Sequence, residues 1–331
     1  MIFCWSDWLP VVLPHLTALL PGAEALDRLY TVGGQLPGSC LGALEVRLGA
    51  GHAPVDLSVR LLEPEQGRDL AGRVTSPALR EFLSRWSARD PGLGVFRSVW
   101  LEFDLDRLLP DVLEPVVAVK LLPDADPGWI TKVLLPALRG YSLSKSQRDL
   151  IEVCHRAIPA PGFLLYVFDL SSRGTDAVRL EVFGLDPAGV SAYLGCVAPS
   201  AADRVGNVAA LFAGVERLHL SLDVTSEVSP RIGIEGSFPR LPRREPRWGE
   251  LFDRLVDRGL CAPEKRDAVL GWTGYDTVRT APGEWPVAEV GARGFCARTL
   301  SHAKVVSLPD REPEAKAYLM ARHLLQADRA R

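Results

Sequence analysis

The 331-residue sequence predicts an α+β fold: a closed antiparallel β-barrel of about ten strands, ringed by helices and built from repeated αββα units. Three observations carry this reading. Runs with strict apolar/polar alternation come in pairs, as antiparallel strands do. Amphipathic helical stretches, most of them opened by Ser, Asp or Glu followed by proline, separate the pairs. The pairs begin near residues 44, 98, 163, 218 and 285, a spacing expected of one unit used five times.

The chain reads as a single barrel domain over 1–331, with an N-terminal helical segment at about 1–22. That segment is apolar, but it carries Asp7, prolines at 10, 14 and 21, and no basic residue before Arg28. It therefore matches neither a secretory signal nor a membrane span. Trp5, Trp8, Leu9, Val12 and Leu16 are expected to pack a proline-bent helix onto the body of the protein.

Ser76-Pro77 opens a helix with Leu79, Phe82, Leu83 and Trp86 on one face. Asp126-Pro127, Asp186-Pro187 and Glu245-Pro246 open the next ones, the last closing near Gly259. Glu312-Pro313 is expected to open a final helix over EAKAYLMARHLL. The strand pairs are 44–48 with 55–61, 98–105 with 116–122, 163–170 with 177–183, and 218–224 with 231–237. The fifth pair is placed at 285–291 and 298–308.

Side chains alternate across a strand, so each run divides into two faces. Val99, Leu101, Phe103 and Leu105 oppose Ser98, Trp100, Glu102 and Asp104. Val178, Leu180 and Val182 oppose Arg179 and Glu181. The apolar faces supply the surface that the helices need, which leaves a second face rich in charge. Trp100, Tyr166, Phe168 and Phe183 sit on or near that second face, where solvent would reward them little. An open antiparallel sheet could expose that face to water, but closure into a barrel, the favoured reading, accounts for the aromatics and removes the sheet edges as well.

Composition narrows the function. Lys and Arg total 38 and Asp and Glu 41, a net charge of −3 that leaves no excess cation for a nucleic-acid backbone. Six cysteines without any CxxC spacing read as reduced thiols, and hence a cytoplasmic protein. Only six of the 38 basic residues are lysines, the bias of a GC-rich bacterial coding sequence. No His/Cys/Asp spacing predicts a metal site, and the glycines match neither a P-loop nor a dinucleotide fingerprint. The basic, proline-rich stretch 239–244 is expected to be an exposed connector.

Five αββα units around an antiparallel barrel resemble the ABBA, or PT-barrel, aromatic prenyltransferases, over most of residues 23–326. The resemblance implies a transferase that moves a prenyl group from a soluble isoprenoid diphosphate to an aromatic acceptor, a small molecule or a peptide, in bacterial secondary metabolism. It implies no nucleic-acid or membrane partner and no firm cofactor, with Mg2+ left open. In such proteins strand-borne Lys and Arg bind the diphosphate, tyrosines shield the allylic cation, and an acid orients or deprotonates the acceptor. Carried onto this sequence, the bases are Arg47, Arg60, Lys120, Arg179, Arg231 and Lys304. Lys120 and Lys304, with no acid two residues away, are the preferred phosphate ligands. Trp100 and Tyr166 supply aromatic faces. Glu102 is the acceptor-orienting acid, and His302 shares a strand face with Lys304 as a further acid–base candidate.

Two departures from the pattern stand out. Only Tyr166 among six tyrosines falls in a clear strand, and the acids Glu45, Asp56, Asp104, Glu181, Asp223 and Glu235 would repel a diphosphate. Both favour an alternative, a non-prenylating protein of the same fold that binds or modifies a peptide or another polar biosynthetic intermediate.

Overall fold

The computed structural model describes residues 5–16, 19, 23–37, 41–51, 55–106, 113–278 and 292–327. Eleven antiparallel strands form one sheet: β1 Leu41–Arg47, β2 Val55–Leu61, β3 Ser98–Phe103, β4 Val116–Lys120, β5 Phe163–Asp169, β6 Val178–Leu185, β7 Leu218–Val224, β8 Val228–Gly236, β9 Gly274–Val278, β10 Ala292–Ser307 and β11 Glu314–Ala327. β1 to β8 follow one another in sequence order. β10 then pairs with β8 and β11 closes the ring onto β1. Ten strands thus make a closed barrel, and β9 pairs with the part of the long β10 that runs beyond β8.

The first eight strands follow the sequence expectation to within a few residues, because each must satisfy two environments. On β2, Val55, Leu57, Val59 and Leu61 are buried against the helical layer, while Asp56 and Ser58 face inward. Leu101, Val119 and Leu180 belong to the core under the helices, and Glu102, Lys120 and Arg179 line the lumen. A slip of one residue in any of these strands would have exchanged the two sets.

The helices start where a side chain can cap them. Ser76 accepts from the Leu79 N–H, Asp126 from Trp129 and Asp186 from Gly189, each with proline in the first turn. In Pro77–Ser87 the stripe Leu79, Phe82, Leu83 and Trp86 is buried. In Arg247–Asp257, Trp248, Leu251, Phe252 and Leu255 are buried likewise. The N-terminal turns pack as expected through Trp5, Leu9, Val12 and Leu16, while the side chain of Trp8 lies outside what the structure describes. Trp5 lies so close to β1 that a Cβ on Gly42 would fall 2.0 Å from its indole nitrogen, so only glycine fits there.

The last unit differs from expectation. The stretch EAKAYLMARHLL is not a helix but most of β11. Its Ala, Lys and Leu content favours helix locally. Yet Ala315, Ala317, Leu319 and Ala321 are buried in alternation with Lys316, Tyr318 and Met320, a period of two. Ten-strand closure needs a partner for β1, and that tertiary demand overrides propensity. The fifth strand pair is therefore β10 with β11. Residues 298–308 fall largely within β10 as expected, while 285–291 lies outside the described residues.

Among the described residues no helix is long and apolar enough to cross a membrane.

Candidate functional site

Two cavities occupy the lumen. One, of about 520 Å³, is lined by Arg60, Arg97, Trp100, Lys120, Tyr166 and Phe183, among others. The second, of about 570 Å³, is lined by charged residues that include Arg47, Asp56, Asp104, Arg173, Asp223 and Arg231. Glu102, Arg179, Lys304 and Tyr318 line both, so the cavities meet at the waist of the barrel.

At the first, basic end, three cations stand together. Arg60 on β2 donates to the Ser98 hydroxyl at 3.0 Å, and its guanidinium lies 6.0 Å from the Trp100 ring. Register places Arg60 opposite Trp100, and Ser98 opposite Lys120. The Lys120 ammonium lies 5.5 Å over the Tyr166 ring, its pKa lowered by burial and by the charges of Arg60 and Arg97. Among the described residues none of the three is paired with a carboxylate. Arg97 precedes β3 and escaped sequence analysis because it belongs to no alternating run.

Aromatic and small apolar residues form the adjoining wall. Phe168 is buried with Val116 and Ala118, and Trp100 and Tyr166 pack against them. This small cluster is separate from the core beneath the helices. The Trp100 indole Nε1 is buried without a hydrogen-bond partner. The sequence expectation of an aromatic lining is met by Trp100, Tyr166, Phe168 and Phe183 together.

The opposite end is a network of pairs. Arg47 reaches Asp56 at 3.1 Å and Glu314 at 3.0 Å. Arg179 holds Asp223 through two hydrogen bonds of 2.6 and 3.1 Å, and Arg231 lies 3.5 Å from the same carboxylate. Arg173 does the same for Asp104, at 2.7 and 2.6 Å. Burial opposes ionisation of Glu45, but the Lys316 charge and hydrogen bonds from Lys316 and Tyr318 hold it well below the usual carboxylate range. Asp56 moves the other way. Burial and the neighbouring Glu45 charge push it up to about 7, outweighing Arg47.

Several of the bases expected to bind an anion stand beside carboxylates. Arg47 and Arg179 bond to them, and Arg231 lies near the carboxylate that Arg179 holds. Lys304 is paired as well: Glu235 lies directly across from it on β8, and its Nζ donates to Glu235 Oε1 at 2.5 Å and to Ser221 at 3.1 Å. The absence of an acid two residues away along the strand said nothing about one across the ladder.

At the waist, burial raises the Glu102 carboxyl, opposed by Arg173, whose nearest nitrogen is 3.6 Å away, and by Arg179. Its side chain faces both cavities. His302 stacks on Tyr318 with ring centroids 4.0 Å apart, and burial lowers its pKa to about 4. It contacts Glu235 at 3.3 Å rather than forming a pair with Lys304. An imidazole held neutral in this way is a weak base, because burial opposes the charge that a proton would bring.

One grouping that sequence spacing gave no sign of lies beside the waist. Glu181, His219 and Glu235 come from β6, β7 and β8, and their ligand atoms all lie within 4.8 Å of one another. His219 Nδ1 is 3.0 Å from Glu181 Oε1 and 3.9 Å from Glu235 Oε2.

No protein-family model and no curated protein sequence matches the chain. Solved structures do. It is similar to 6-dimethylallyltryptophan synthase from Micromonospora olivasterospora in complex with DMASPP and Trp. Identity is 14%, 96% of this chain and 97% of that chain are covered, and the TM-score is 0.53. It is also similar to PriB bound to product diphosphate, at 15% identity, 96% of each chain and a TM-score of 0.52. A ternary complex of the prenyltransferase PriB with L-tryptophan and dimethylallyl thiolodiphosphate matches at 14% identity, 96% of each chain and a TM-score of 0.50. At these identities the likeness establishes the fold: the chain has the PT-barrel fold of the ABBA-type aromatic prenyltransferases.

Proposed function

We propose that the protein transfers a prenyl group from an allylic diphosphate to an aromatic acceptor inside the barrel. The observation that carries this is the basic end of the lumen. Arg60, Arg97 and Lys120 face one cavity with no carboxylate partner, beside Trp100, Tyr166 and Phe168. Three cations converging on one point suit a diphosphate, and each charge-assisted contact strengthens as the leaving group gains charge. The buried indole N–H of Trp100, which makes no well-aligned hydrogen bond among the described residues, offers a further donor to an anionic ligand.

In this reading the allylic C–O bond breaks as diphosphate departs toward the three cations. The resulting carbocation is stabilised by the electron-rich faces of Trp100 and Tyr166. The acceptor ring sits toward the waist, where its carbon attacks the cation and then gives up its proton. Glu102, whose carboxyl is made more basic by burial, is placed to orient the acceptor or take that proton. The barrel wall keeps bulk water from the carbocation.

The acids that favoured a non-prenylating protein lie mostly at the opposite end, where arginines and Lys316 neutralise them. Their repulsion of a diphosphate at the basic end is correspondingly small.

Calorimetric titration with dimethylallyl and geranyl diphosphate, with and without magnesium, tests the reading. Binding of at least one, abolished in Arg60→Met/Lys120→Met, is expected. Failure to bind either at millimolar concentration would sink it. Binding of a polar peptide instead would favour the alternative.

A further inference from the structure

We propose that Glu181, His219 and Glu235 form a binding site for one divalent transition-metal ion, with zinc as the best-fitting case. This goes beyond the transferase reading and does not depend on it. The site is made by the barrel frame. His219 on β7 lies directly across from Glu235 on β8, and Glu181 on β6 lies diagonally from it, opposite Ser221. Three neighbouring strands therefore bring three ligand atoms together.

The spacing fits an ion. Bonds of about 2.0–2.2 Å place neighbouring ligand atoms roughly 3–3.6 Å apart. The two His219 distances of 3.0 and 3.9 Å bracket that range, and all three atoms lie within 4.8 Å. Both carboxylates are buried, Glu235 almost completely.

Surrounding groups orient the ligand atoms. Lys304 and Ser221 both donate to Glu235 Oε1, so Oε2 is the oxygen turned toward His219. His302 Nε2 meets that same Oε2 at 3.3 Å, while its Nδ1 is engaged with the Ser301 hydroxyl at 3.0 Å. His302 is thus a positioning residue for Glu235, the kind of outer contact that tunes metal affinity. Two carboxylates and one lysine leave a net charge of about −1 when the imidazoles are neutral, which attracts a cation.

The donor set is one imidazole nitrogen with two carboxylate oxygens. Such a mixture favours zinc or a neighbouring first-row ion over magnesium or calcium, which take oxygen alone. Glu181, His219 and Glu235 all border the 520 Å³ cavity. The remaining coordination positions therefore face the lumen and can take water or an oxygen of a bound molecule.

The test uses the full chain stripped with chelator and titrated with Zn2+ in the absence of any diphosphate, so that its outcome is separate from that of prenyl transfer. One ion per chain is expected, displaced little by Mg2+. Glu181→Gln, which keeps the shape of the side chain, and His219→Ala should each weaken binding by about tenfold or more, and His302→Ala by about tenfold. Circular dichroism on each variant checks folding. Co2+ loaded in place of Zn2+ should show imidazole and carboxylate ligation in its visible spectrum. A thiolate charge-transfer band would assign the ion to a cysteine such as the exposed Cys196 and overturn the proposal. So would unchanged Zn2+ affinity in folded Glu181→Gln and His219→Ala, or the absence of stoichiometric binding.

Discussion

At the basic end of the lumen, Arg60, Arg97 and Lys120 point at open space beside aromatic rings. At the other end Arg47, Arg173 and Arg179 point at Asp56, Asp104 and Asp223, and two of those contacts are two-pronged. The same residue types, carried by the same kind of strand, do different work. A buried guanidinium bonded to a carboxylate has its hydrogen-bonding capacity already used, whereas one without a carboxylate partner retains attraction for an incoming anion. Charge count alone therefore does not locate a ligand; the distribution of partners does.

The comparison breaks most readily at Arg179. Arg179→Met leaves Asp223 in a buried site with only Arg231 near it, and should cost about 3–5 kcal/mol of stability. Urea unfolding measures this. A loss below about 1 kcal/mol would show that the network is too wet to matter.

Lys120→Met should behave the other way round. It removes a charge with no carboxylate partner, so the Tm should hardly move, while affinity for an allylic diphosphate falls ten- to a hundredfold, about 1.5–3 kcal/mol. The loss should shrink in high salt if the cavity mouth is open to solvent. Full affinity in this variant would place the anion elsewhere.

Lys304→Met is the sharper contrast, because from sequence it looks equivalent to Lys120→Met. In the structure it deprives buried Glu235 of its ammonium partner, so it should lower stability by roughly 1–3 kcal/mol. Its direct effect on diphosphate affinity should be smaller than that of Lys120→Met. Equal affinity losses in the two would erase the distinction between the ends.

A last contrast concerns pH. Asp56 is raised from 3.8 to about 7 on folding, so the folded state holds its proton more tightly than the unfolded state does. Its contribution is most favourable at acidic pH and is lost as pH rises from 3.8 toward about 7. Asp56→Asn should melt close to the parent in acid and above it at mildly alkaline pH. A constant difference across that window would mean that Asp56 titrates as an ordinary carboxylate.

The strands were legible because a barrel wall imposes alternation on every rung, as in Val99-Trp100-Leu101-Glu102. Helix starts were legible because Ser76, Asp126 and Asp186 cap locally, within three residues. β11 looks helical in sequence because its alanines and leucines favour helix in isolation, and only ring closure makes them a strand. The status of each base was hidden for a related reason. Whether Lys304 meets Glu235, or Lys120 meets Tyr166, depends on cross-strand register, which no spacing along one strand reveals. The Glu181, His219 and Glu235 grouping needs three strands in register at once.

Closure of the ring by β11 also bears on how the molecule is made. β1 pairs with β2 as soon as the hairpin emerges, but its other edge is satisfied only by residues such as Ala321, opposite Gly42. During synthesis that edge stays open while nearly the whole barrel is assembled beside it. Such a late, long-range pairing slows folding, and an uncovered edge invites association with other chains. Nascent or truncated forms that lack β11 should therefore depend on chaperones and be prone to aggregate.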